Sequence, residues 1–316
     1  MLSIGGGTRS TNFSVATSTI NGRYKFAKTA VDLLKDWGFD GIDIDWEYVR
    51  NGVEAINLVE LLRELRFQLD KYAATYARGY HFLLSMAAPA STRRYGQLCH
   101  GMRQMGHFLD FASLMAYDFA GDWSDFSGHH ANLYANAANP RSTPFNADAA
   151  VSAYINGGVP AHKLVLGIPT FGRTFDKTEG IGKSYSDTGS SGRKYKIQDY
   201  KALPREGAEV LYDDVAKASY SYDSQARQLV SYDTPRIVRA KAEYIKERGL
   251  GGNMFWEASA DRADSESLVK TSHGALAHLD VSQNCISYPN SSYSNIREYA
   301  TSRRDGGDGG LLVPLV

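Results

Sequence analysis

The sequence predicts an α/β fold in which parallel strands alternate with helices, and two observations support this prediction. Six short apolar segments that are typical of buried strands are spread along the 316 residues. Between them lie segments with apolar residues at helical spacing. Strands that alternate with helices indicate parallel βα units, which build either an open sheet or a closed barrel. The number of strand candidates leaves both architectures open.

The elements follow one another in a regular order. The strand candidates are short apolar runs at 1–4, 39–45, 81–88, 110–117, 163–169 and 252–257. The helix candidates carry an apolar face or begin and end at capping signals, and they lie at 24–37, 54–77, 98–108, 147–156 and 235–248. The last of these begins at Pro235 and ends before Gly249.

Residues 174–234 interrupt the alternation. They are rich in Tyr, Gly, Ser and Lys, and they combine turn clusters such as "SDTGSSGRK" with short alternating runs. We therefore expect an inserted antiparallel α+β module here, and a catalytic domain formed by residues 1–173 and 235–275. Residues 276–316 form a polar C-terminal segment, and its "RRDGGDGG" run is expected to be disordered.

Composition and charge exclude several classes of partner. Lys+Arg and Asp+Glu both number 35, so there is no net field to attract nucleic acid or an anionic membrane. No apolar run reaches the roughly 18 to 20 residues of a membrane span. Two cysteines, Cys99 and Cys285, are too few and too distant for a disulfide framework or a metal site.

The stretch "GFDGIDIDWEYV", residues 38–49, places acids in a strand that otherwise appears buried. Side chains at alternate positions of a strand share one face, so Asp43, Asp45 and Glu47 point the same way, opposite to the apolar residues between them. At a rise of about 3.3 Å per residue, neighbouring carboxylates lie roughly 6.6 Å apart and repel by about 2.5 kcal/mol. We therefore expect them to share at least one proton near neutral pH, with Glu47 well placed to hold it.

Two other readings of these acids are weaker. A solvated strand face is typical of edge strands, whereas flanking helices and an apolar opposite face favour a buried parallel strand. A calcium loop lacks support because its glycine turn and downstream glutamate are missing. Acids at the carboxyl end of a parallel strand are where α/β barrels place their chemistry. A general acid without a nucleophilic partner suggests glycoside hydrolysis in which the substrate supplies the nucleophile.

The acidic strand resembles the Asp-x-x-Asp-x-Asp-x-Glu signature of the family-18 glycoside hydrolases, the chitinases, and most closely their fungal secreted members. The signature is present as Asp40, Asp43, Asp45 and Glu47. "SIGG", "MAYD", "GIPTFGRTF" and "GGNMFWEASAD" resemble the family motifs of strands three, six, seven and eight, in that order. The resemblance implies a TIM (β/α)8 barrel that apparently lacks its first two βα units, with the α+β insertion before the last strand.

The resemblance also implies a retaining, substrate-assisted mechanism on N-acetylglucosamine polymers. Glu47 would protonate the glycosidic oxygen, and the acetamido oxygen of the substrate would attack the anomeric carbon. Asp45 would orient the acetamido N–H, with Asp43 behind it.

The remaining implied site residues are Tyr117 at the acetamido group, Asp118 and Arg173 at sugar hydroxyls, Met115 and Tyr48 in the pocket, Trp256 beneath the sugar, and Trp123 on the leaving-group side. Without the resemblance, Trp256 would equally be a core aromatic and Arg173 a surface charge.

Three departures from the family pattern affect these expectations. Gly7 stands where the family usually has Trp, so a stacking surface on the leaving side is lost, and Val49 replaces a common Pro. The first strand candidate resembles the third strand of the family, and no secretion signal is visible. We interpret both features as a truncated gene model.

The function expected from the sequence is that of a chitinase that cleaves β-1,4 bonds between N-acetylglucosamine units. Its partners would be chitin or chito-oligosaccharides, it would need no cofactor or metal, and it would act outside the cell as a monomer. A non-catalytic chitin-binding protein and an endo-β-N-acetylglucosaminidase are the alternatives. Glu47 argues against the first, and the module before the last strand favours a chitinase over the second.

Overall fold

The computed structural model describes residues 1–186 and 196–299, which belong to two compact units. The first unit comprises Met1–Glu47, Ile56–Ser85 and Val281–Val316. The second comprises Tyr48–Ala55 and Met86–Asp280. The "RRDGGDGG" run and most of the "SDTGSSGRK" cluster, for which disorder and a turn were predicted, lie outside the described residues.

The strands of the first unit present the acidic run. Strand β1 (Leu2–Gly5) pairs in parallel with β2 (Gly41–Asp45), and Ser3 lies opposite Asp43. Strand β3 (Leu83–Pro89) follows β2 in the sheet, and its first three residues belong to this unit. These bounds agree with the three predicted strands to within two residues.

Three helices accompany these strands: α1 (Phe13–Thr17), α2 (Ile20–Trp37) and α3 (Gly52–Tyr76), whose first turn belongs to the second unit. Helix α2 begins four residues before the predicted start at 24. The Thr19 side chain accepts a hydrogen bond from the Gly22 N–H and caps the helix, so the polar first turn is helical although it carries no apolar pattern. The helix ends at Gly38, whose φ of 73° is the left-handed conformation that glycine favours.

The apolar face of β2 is buried as the alternation predicts. Ile42 and Ile44 are fully buried, and the Trp46 ring stacks on Phe13 with the ring centres 5.2 Å apart. Burial on this face fixes the register of the strand, because a shift by one residue would place the acids in the core. The opposite face therefore carries Asp43 and Asp45.

Within the first unit, the described part of the C-terminal segment from Val281 onward packs near the end of α2 and the start of β2. It includes the short helix α9 (Ser294–Arg297), and Ser291 Oγ donates a 2.9 Å hydrogen bond to the Asp36 carbonyl at the end of α2. The Tyr288 hydroxyl donates to the Phe39 carbonyl at 2.9 Å. These bonds hold the segment against the loop that leads into β2.

The parallel strands of the second unit are β4 (Phe111–Met115), β5 (Leu164–Pro169) and β11 (Gly252–Trp256), which follow the second half of β3 in that order. Strands β4 and β11 both pair in parallel with β5. The helices between and after them are α4 (Thr92–Tyr95), α5 (Met102–Phe108), α6 (Ala147–Asn156), α7 (Pro235–Glu247) and α8 (Leu268–Leu276). Parallel strands that alternate with helices confirm the predicted α/β class.

Two of these helical regions differ from the predictions. The segment predicted as one helix over 98–108 holds only α5 and the last residue of a 3₁₀ turn at Gly96–Leu98, and α4, which precedes it, was not predicted. Helix α8 was not predicted, because its buried positions Leu268 and Ser272 give no apolar stripe. Further 3₁₀ turns lie at Pro140–Ser142, Ala161–Lys163, Tyr200–Ala202 and Ala258–Ala260. Among the helices that the structure describes, none combines the length and the apolar character that crossing a bilayer requires.

The second unit also contains a five-stranded antiparallel sheet. Its order is β7 (Ile197–Asp199), β6 (Phe171–Phe175), β10 (Gln228–Ser231), β9 (Ala218–Asp223) and β8 (Glu209–Asp213). It begins at Phe171, three residues before the predicted insertion, so Arg173 lies on an antiparallel strand. The predicted division into a catalytic domain and a module stays a prediction.

Candidate active site

The acidic end of β2 is brought close to the loop after β1. Gly5 lies opposite Asp45 with a φ of 123°, and a Cβ atom at this position would stand 1.9 Å from the Asp45 carbonyl oxygen. Only glycine fits such an approach of two backbones. The "GGG" run of the sequence therefore serves to bring its loop against the acidic strand.

Ser10 fixes the backbone of Glu47. Its buried Oγ accepts a 2.9 Å hydrogen bond from the Glu47 N–H and lies 2.9 Å from the carbonyl oxygens of Gly6 and Asp45. Gly7 has no side chain, and a Cβ there would lie 3.7 Å from both Glu47 carboxyl oxygens. Gly7 therefore lies directly beside the Glu47 carboxyl group.

Asp43 accepts hydrogen bonds from two neighbouring strands. Ser3 Oγ on β1 donates to its Oδ2 and Ser85 Oγ on β3 donates to its Oδ1, each at 2.7 Å. Neither serine was predicted as a site residue from the sequence. The sequence could have indicated Ser85, because it is the polar residue in the apolar run "LLSMAAP". The position of Ser3 opposite Asp43 depends on sheet register, which the sequence does not show.

Asp45 lies between the two other acids, and its pKa is raised to about 7. Burial is the largest cause, followed by repulsion from Glu47 and Asp43 and by a hydrogen bond to Glu47. Two carboxyl groups can form such a bond only when one of them holds a proton. The Oδ1 atom of Asp45 is buried and has no hydrogen-bond partner among the described residues.

This result changes one expectation from the sequence. A shared proton near neutral pH was predicted, with Glu47 as its holder, but the raised pKa belongs to Asp45. The middle carboxyl is repelled from both sides and is also buried, whereas spacing along a strand gives no information on burial.

Asp40, the first acid of the signature, serves a different purpose. It stands before β2, at the opposite end of the strand from Glu47. Its carboxylate accepts hydrogen bonds from Tyr80 Oη at 3.0 Å, Tyr288 Oη at 3.2 Å and the Cys285 N–H at 2.7 Å. Asp40 therefore anchors the C-terminal segment.

In the second unit, Asp118 and Arg173 form a two-pronged ion pair. Arg173 Nε donates to Asp118 Oδ1 at 2.8 Å, and its NH2 group donates to Oδ2 at 2.7 Å. Desolvation raises the pKa of Asp118, but the neighbouring His130 and Arg173 outweigh it, and the net shift is downward. His130 Nδ1 lies 3.8 Å from Asp118 Oδ1, too far for a hydrogen bond, and burial lowers the pKa of the His130 imidazole.

Two tryptophans of the second unit are exposed. Trp256, the last residue of β11, is 54% exposed and Trp123 is 56% exposed, so the reading of Trp256 as a core aromatic is wrong. The Arg173 guanidinium lies 4.9 Å from the centre of the Trp123 ring. Rings presented to solvent in this way can stack on the C–H faces of sugars.

The remaining predicted site residues lie at strand ends or in loops of the same unit. Met115 is the last residue of β4, and the Tyr117 ring two residues later packs edge-on against Phe171 with the centres 6.0 Å apart. The Tyr48 ring lies beneath Arg94, 4.5 Å from its guanidinium carbon. The structure thus gathers Asp43, Asp45 and Glu47 in the first unit, and Asp118, Arg173 and Trp123 in the second.

Over residues 1–186 and 196–299, no group of three or more His, Cys, Asp or Glu side chains is arranged to hold a metal ion. The chemistry available at the end of β2 is proton transfer by carboxyl groups.

Comparison with known proteins adds to this geometry. Residues 1–261 match the family model described as glycosyl hydrolases family 18. Chitinase 1 of Aphanocladium album is 55% identical over 298 residues, which cover 94% of this chain and 70% of that protein. Endochitinase 1 of Metarhizium robertsii has the same identity and coverage. A mutant class V chitinase from Nicotiana tobaccum, solved in complex with NAG4, has a TM-score of 0.78 at 28% identity and covers 88% of this chain and 80% of that one.

Proposed function

We propose that this chain, which belongs to the glycosyl hydrolases of family 18, hydrolyses chitin. Two fungal relatives that are 55% identical over 94% of the chain are named as a chitinase and an endochitinase. The observation that carries the proposal is the acidic end of β2, where Asp45 has a pKa of about 7 and contacts Glu47. This arrangement keeps one proton available at neutral pH.

The proposed reaction begins with Glu47 as the general acid. Glu47 gives the proton that it shares with Asp45 to the glycosidic oxygen while the acetamido carbonyl oxygen of the substrate attacks the anomeric carbon, so the glycosidic bond breaks and an oxazolinium ion forms. Water then attacks the same carbon, its proton returns to Glu47, and the configuration is retained. The hydrogen bond from the Glu47 N–H to Ser10 Oγ, which fixes the backbone of Glu47, supports this role.

Asp45 is proposed to orient the acetamido group. Its buried Oδ1 lacks a hydrogen-bond partner among the described residues, and a substrate N–H is a donor that would satisfy it. Asp43 backs Asp45 electrostatically, and the hydroxyl groups of Ser3 and Ser85 hold the Asp43 carboxylate in place. The repulsion among the three carboxyl groups is relieved when the acetamido group develops a positive charge beside them, which stabilises the transition state.

The residues of the second unit are proposed to bind the sugar chain. Two exposed rings, Trp123 and Trp256, suit stacking on sugar faces, and the paired Asp118 and Arg173 suit hydroxyl groups. Tyr117 is assigned to the acetamido group, and Met115 and Tyr48 are assigned to the lining of the pocket.

The finer features of the fold and setting are also proposals. We assign the parallel strands to a (β/α)8 barrel with residues 174–234 as an insertion beside the substrate. The family resemblance supports this assignment. It also supports a monomer that acts outside the cell, where an insoluble polymer is accessible.

A chromogenic chitotrioside tests the catalytic assignment. We expect the unaltered chain to release the reporter, and we expect Glu47→Gln to reduce kcat by at least about 10³-fold while oligosaccharide binding is retained. Glu243→Gln, an exposed substitution on α7, is the matched control and should retain full activity. Full activity of Glu47→Gln would contradict the assignment.

The same assay separates the alternatives. A chain that binds N-acetylglucosamine oligomers but releases no reporter would be a chitin-binding protein without catalysis. Cleavage of an N-glycan core, with chito-oligomers left intact, would indicate an endo-β-N-acetylglucosaminidase instead.

A further inference from the structure

Trp123 lies in a tight turn that is closed by its own hydrogen bonds. The Ser124 N–H donates to the Gly121 carbonyl at 2.9 Å, and the Gly121 N–H donates to Ser124 Oγ at 3.2 Å. The Trp123 ring rests against Gly121, where an added Cβ would come within 2.6 Å of the ring. The ring orientation is therefore coupled to the path of these four residues, which we name the Trp123 turn.

One tyrosine beyond β6 holds both ends of this turn. The Tyr185 hydroxyl donates its one proton toward the Ser124 carbonyl oxygen at 2.7 Å, and the Gly121 carbonyl oxygen lies 3.2 Å from the same hydroxyl. Its ring is held edge-on against the fully buried Phe175, with the centres 5.0 Å apart. Tyr185 thus ties the backbone on either side of Trp123 to the hydrophobic cluster around Phe175.

Two other contacts restrain the Trp123 turn from the antiparallel sheet and its flank. The Arg173 guanidinium on β6 lies over the Trp123 ring at 4.9 Å, and Lys196 Nζ lies 3.9 Å from the Asp122 carboxylate. The second contact is long and partly exposed, so we expect it to contribute little. The Tyr185 hydroxyl is the contact that reaches the backbone of the turn directly.

We infer that Tyr185 is a positioning residue that fixes Trp123 for binding of the sugar units on the leaving-group side. The inference rests on the proposed function, in which Trp123 stacks on that part of the chain. A ring held in its binding orientation before the substrate arrives loses less conformational entropy on binding. Tyr185 therefore sets affinity for longer oligomers rather than the rate of bond cleavage.

The test compares Tyr185→Phe with Tyr222→Phe. Both tyrosines pack on the same hydrophobic cluster, and the Tyr222 hydroxyl donates at 3.0 Å to the Thr178 carbonyl, so each variant loses one hydroxyl and keeps its ring. For Tyr185→Phe we expect KM for the N-acetylglucosamine hexamer to rise about fivefold, as expected for one lost hydrogen bond. We expect kcat, and KM for a short reporter without leaving-side sugars, to stay within about twofold. Tyr222→Phe should leave kcat and both KM values unchanged.

Calorimetric titration of the hexamer into the Glu47→Gln chain measures the same effect without turnover. Adding Tyr185→Phe should raise Kd by about fivefold, and adding Tyr222→Phe should not. An unchanged Kd, or an equal loss on hexamer and short reporter together with a fall in Tm, would overturn the positioning role. If the unaltered chain binds the hexamer but does not cleave it, the proposed catalysis fails while the Kd comparison still decides the role of Tyr185.

Discussion

Asp45 in the first unit and Asp118 in the second are aspartates at or just beyond the carboxyl ends of parallel strands, yet their pKa values move in opposite directions. Burial acts on both and favours the protonated form. Asp45 has Asp43 and Glu47 as charged neighbours, so its pKa rises to about 7. Asp118 has Arg173 and His130 beside it, and its pKa falls.

This contrast shows how one residue type is given two chemical roles. A carboxyl surrounded by other acids keeps a proton near neutral pH and can take part in proton transfer. A carboxylate that is paired with a guanidinium through two hydrogen bonds stays ionised and offers hydrogen-bond acceptors in fixed positions. The neighbours, rather than the strand position, decide which role each aspartate has.

The largest expected effect comes from removing the carboxyl group of Asp45. Asp45→Asn should lower kcat by about 10²-fold or more, because the acetamido group loses its charged partner. In the unaltered chain, kcat/KM should fall by about tenfold per pH unit above pH 7 as the proton shared by Asp45 and Glu47 is lost. Asp45→Asn should shift the midpoint of this alkaline limb.

A pH series of kcat/KM for both chains checks this prediction. Asp32→Asn, at an exposed ion pair on α2, is the matched control and should keep the original profile. An alkaline midpoint that is identical in Asp45→Asn would assign the proton to another group.

Arg173→Met removes the guanidinium group beside Asp118 and should have a smaller effect than Asp45→Asn. Losing two hydrogen bonds to a charged partner should lower kcat/KM by about 30-fold at pH 7. Without the guanidinium, the upward effect of burial on the pKa of Asp118 is less opposed, so this pKa should rise. The loss of kcat/KM should therefore be greater at pH 5, where more of the carboxyl group is protonated. Kinetics at both pH values measure this, and Arg173→Lys, which keeps the charge but not the fork, should lose less. A loss that is equal at pH 5 and pH 7 would speak against an ionisation role for Arg173.

The smallest effect concerns stability. The pKa of Asp45 is higher in the folded chain, about 7, than its ordinary value of 3.8, so the folded state binds more protons between these values and loses stability as pH rises through them. Asp45→Asn should therefore raise the free energy of unfolding by about 2 kcal/mol at pH 8 and leave it nearly unchanged at pH 4, a figure reduced for partial solvent access. Thermal unfolding at both pH values measures this, and an equal change at both would contradict it.

The six parallel strands and three of the helices lie within two residues of their predicted bounds, and the misses have local causes. Helix α6 occupies the predicted 147–156, since Asn146 caps it and its apolar face is regular. The start of α2 was missed because Thr19 and Gly22 form a cap without an apolar pattern. Helix α8 has too few buried apolar residues to give a helical period.

The candidate site shows the same division. Alternation in the strand placed Asp43, Asp45 and Glu47 on one face, and the motifs indicated Asp118, Arg173 and the tryptophans. Ser3, Ser10 and Ser85 were missed because each reaches an acid or its backbone from another segment. The exposure of Trp256 also depends on packing, which its apolar surroundings in sequence did not reveal.

By itself, the sequence determined which residues share a strand face and which family the chain resembles, because side-chain alternation and motif order are local properties of the chain. Tertiary structure alone decided that Asp45 has the raised pKa, that Asp40 anchors the C-terminal segment, and that Tyr185 clasps the Trp123 turn. The raised pKa depends first on burial, and the two contacts depend on partners between 61 and 248 residues away along the chain. Burial and such contacts exist only once the chain has folded, and they set the electrostatic energies on which the proposed chemistry depends.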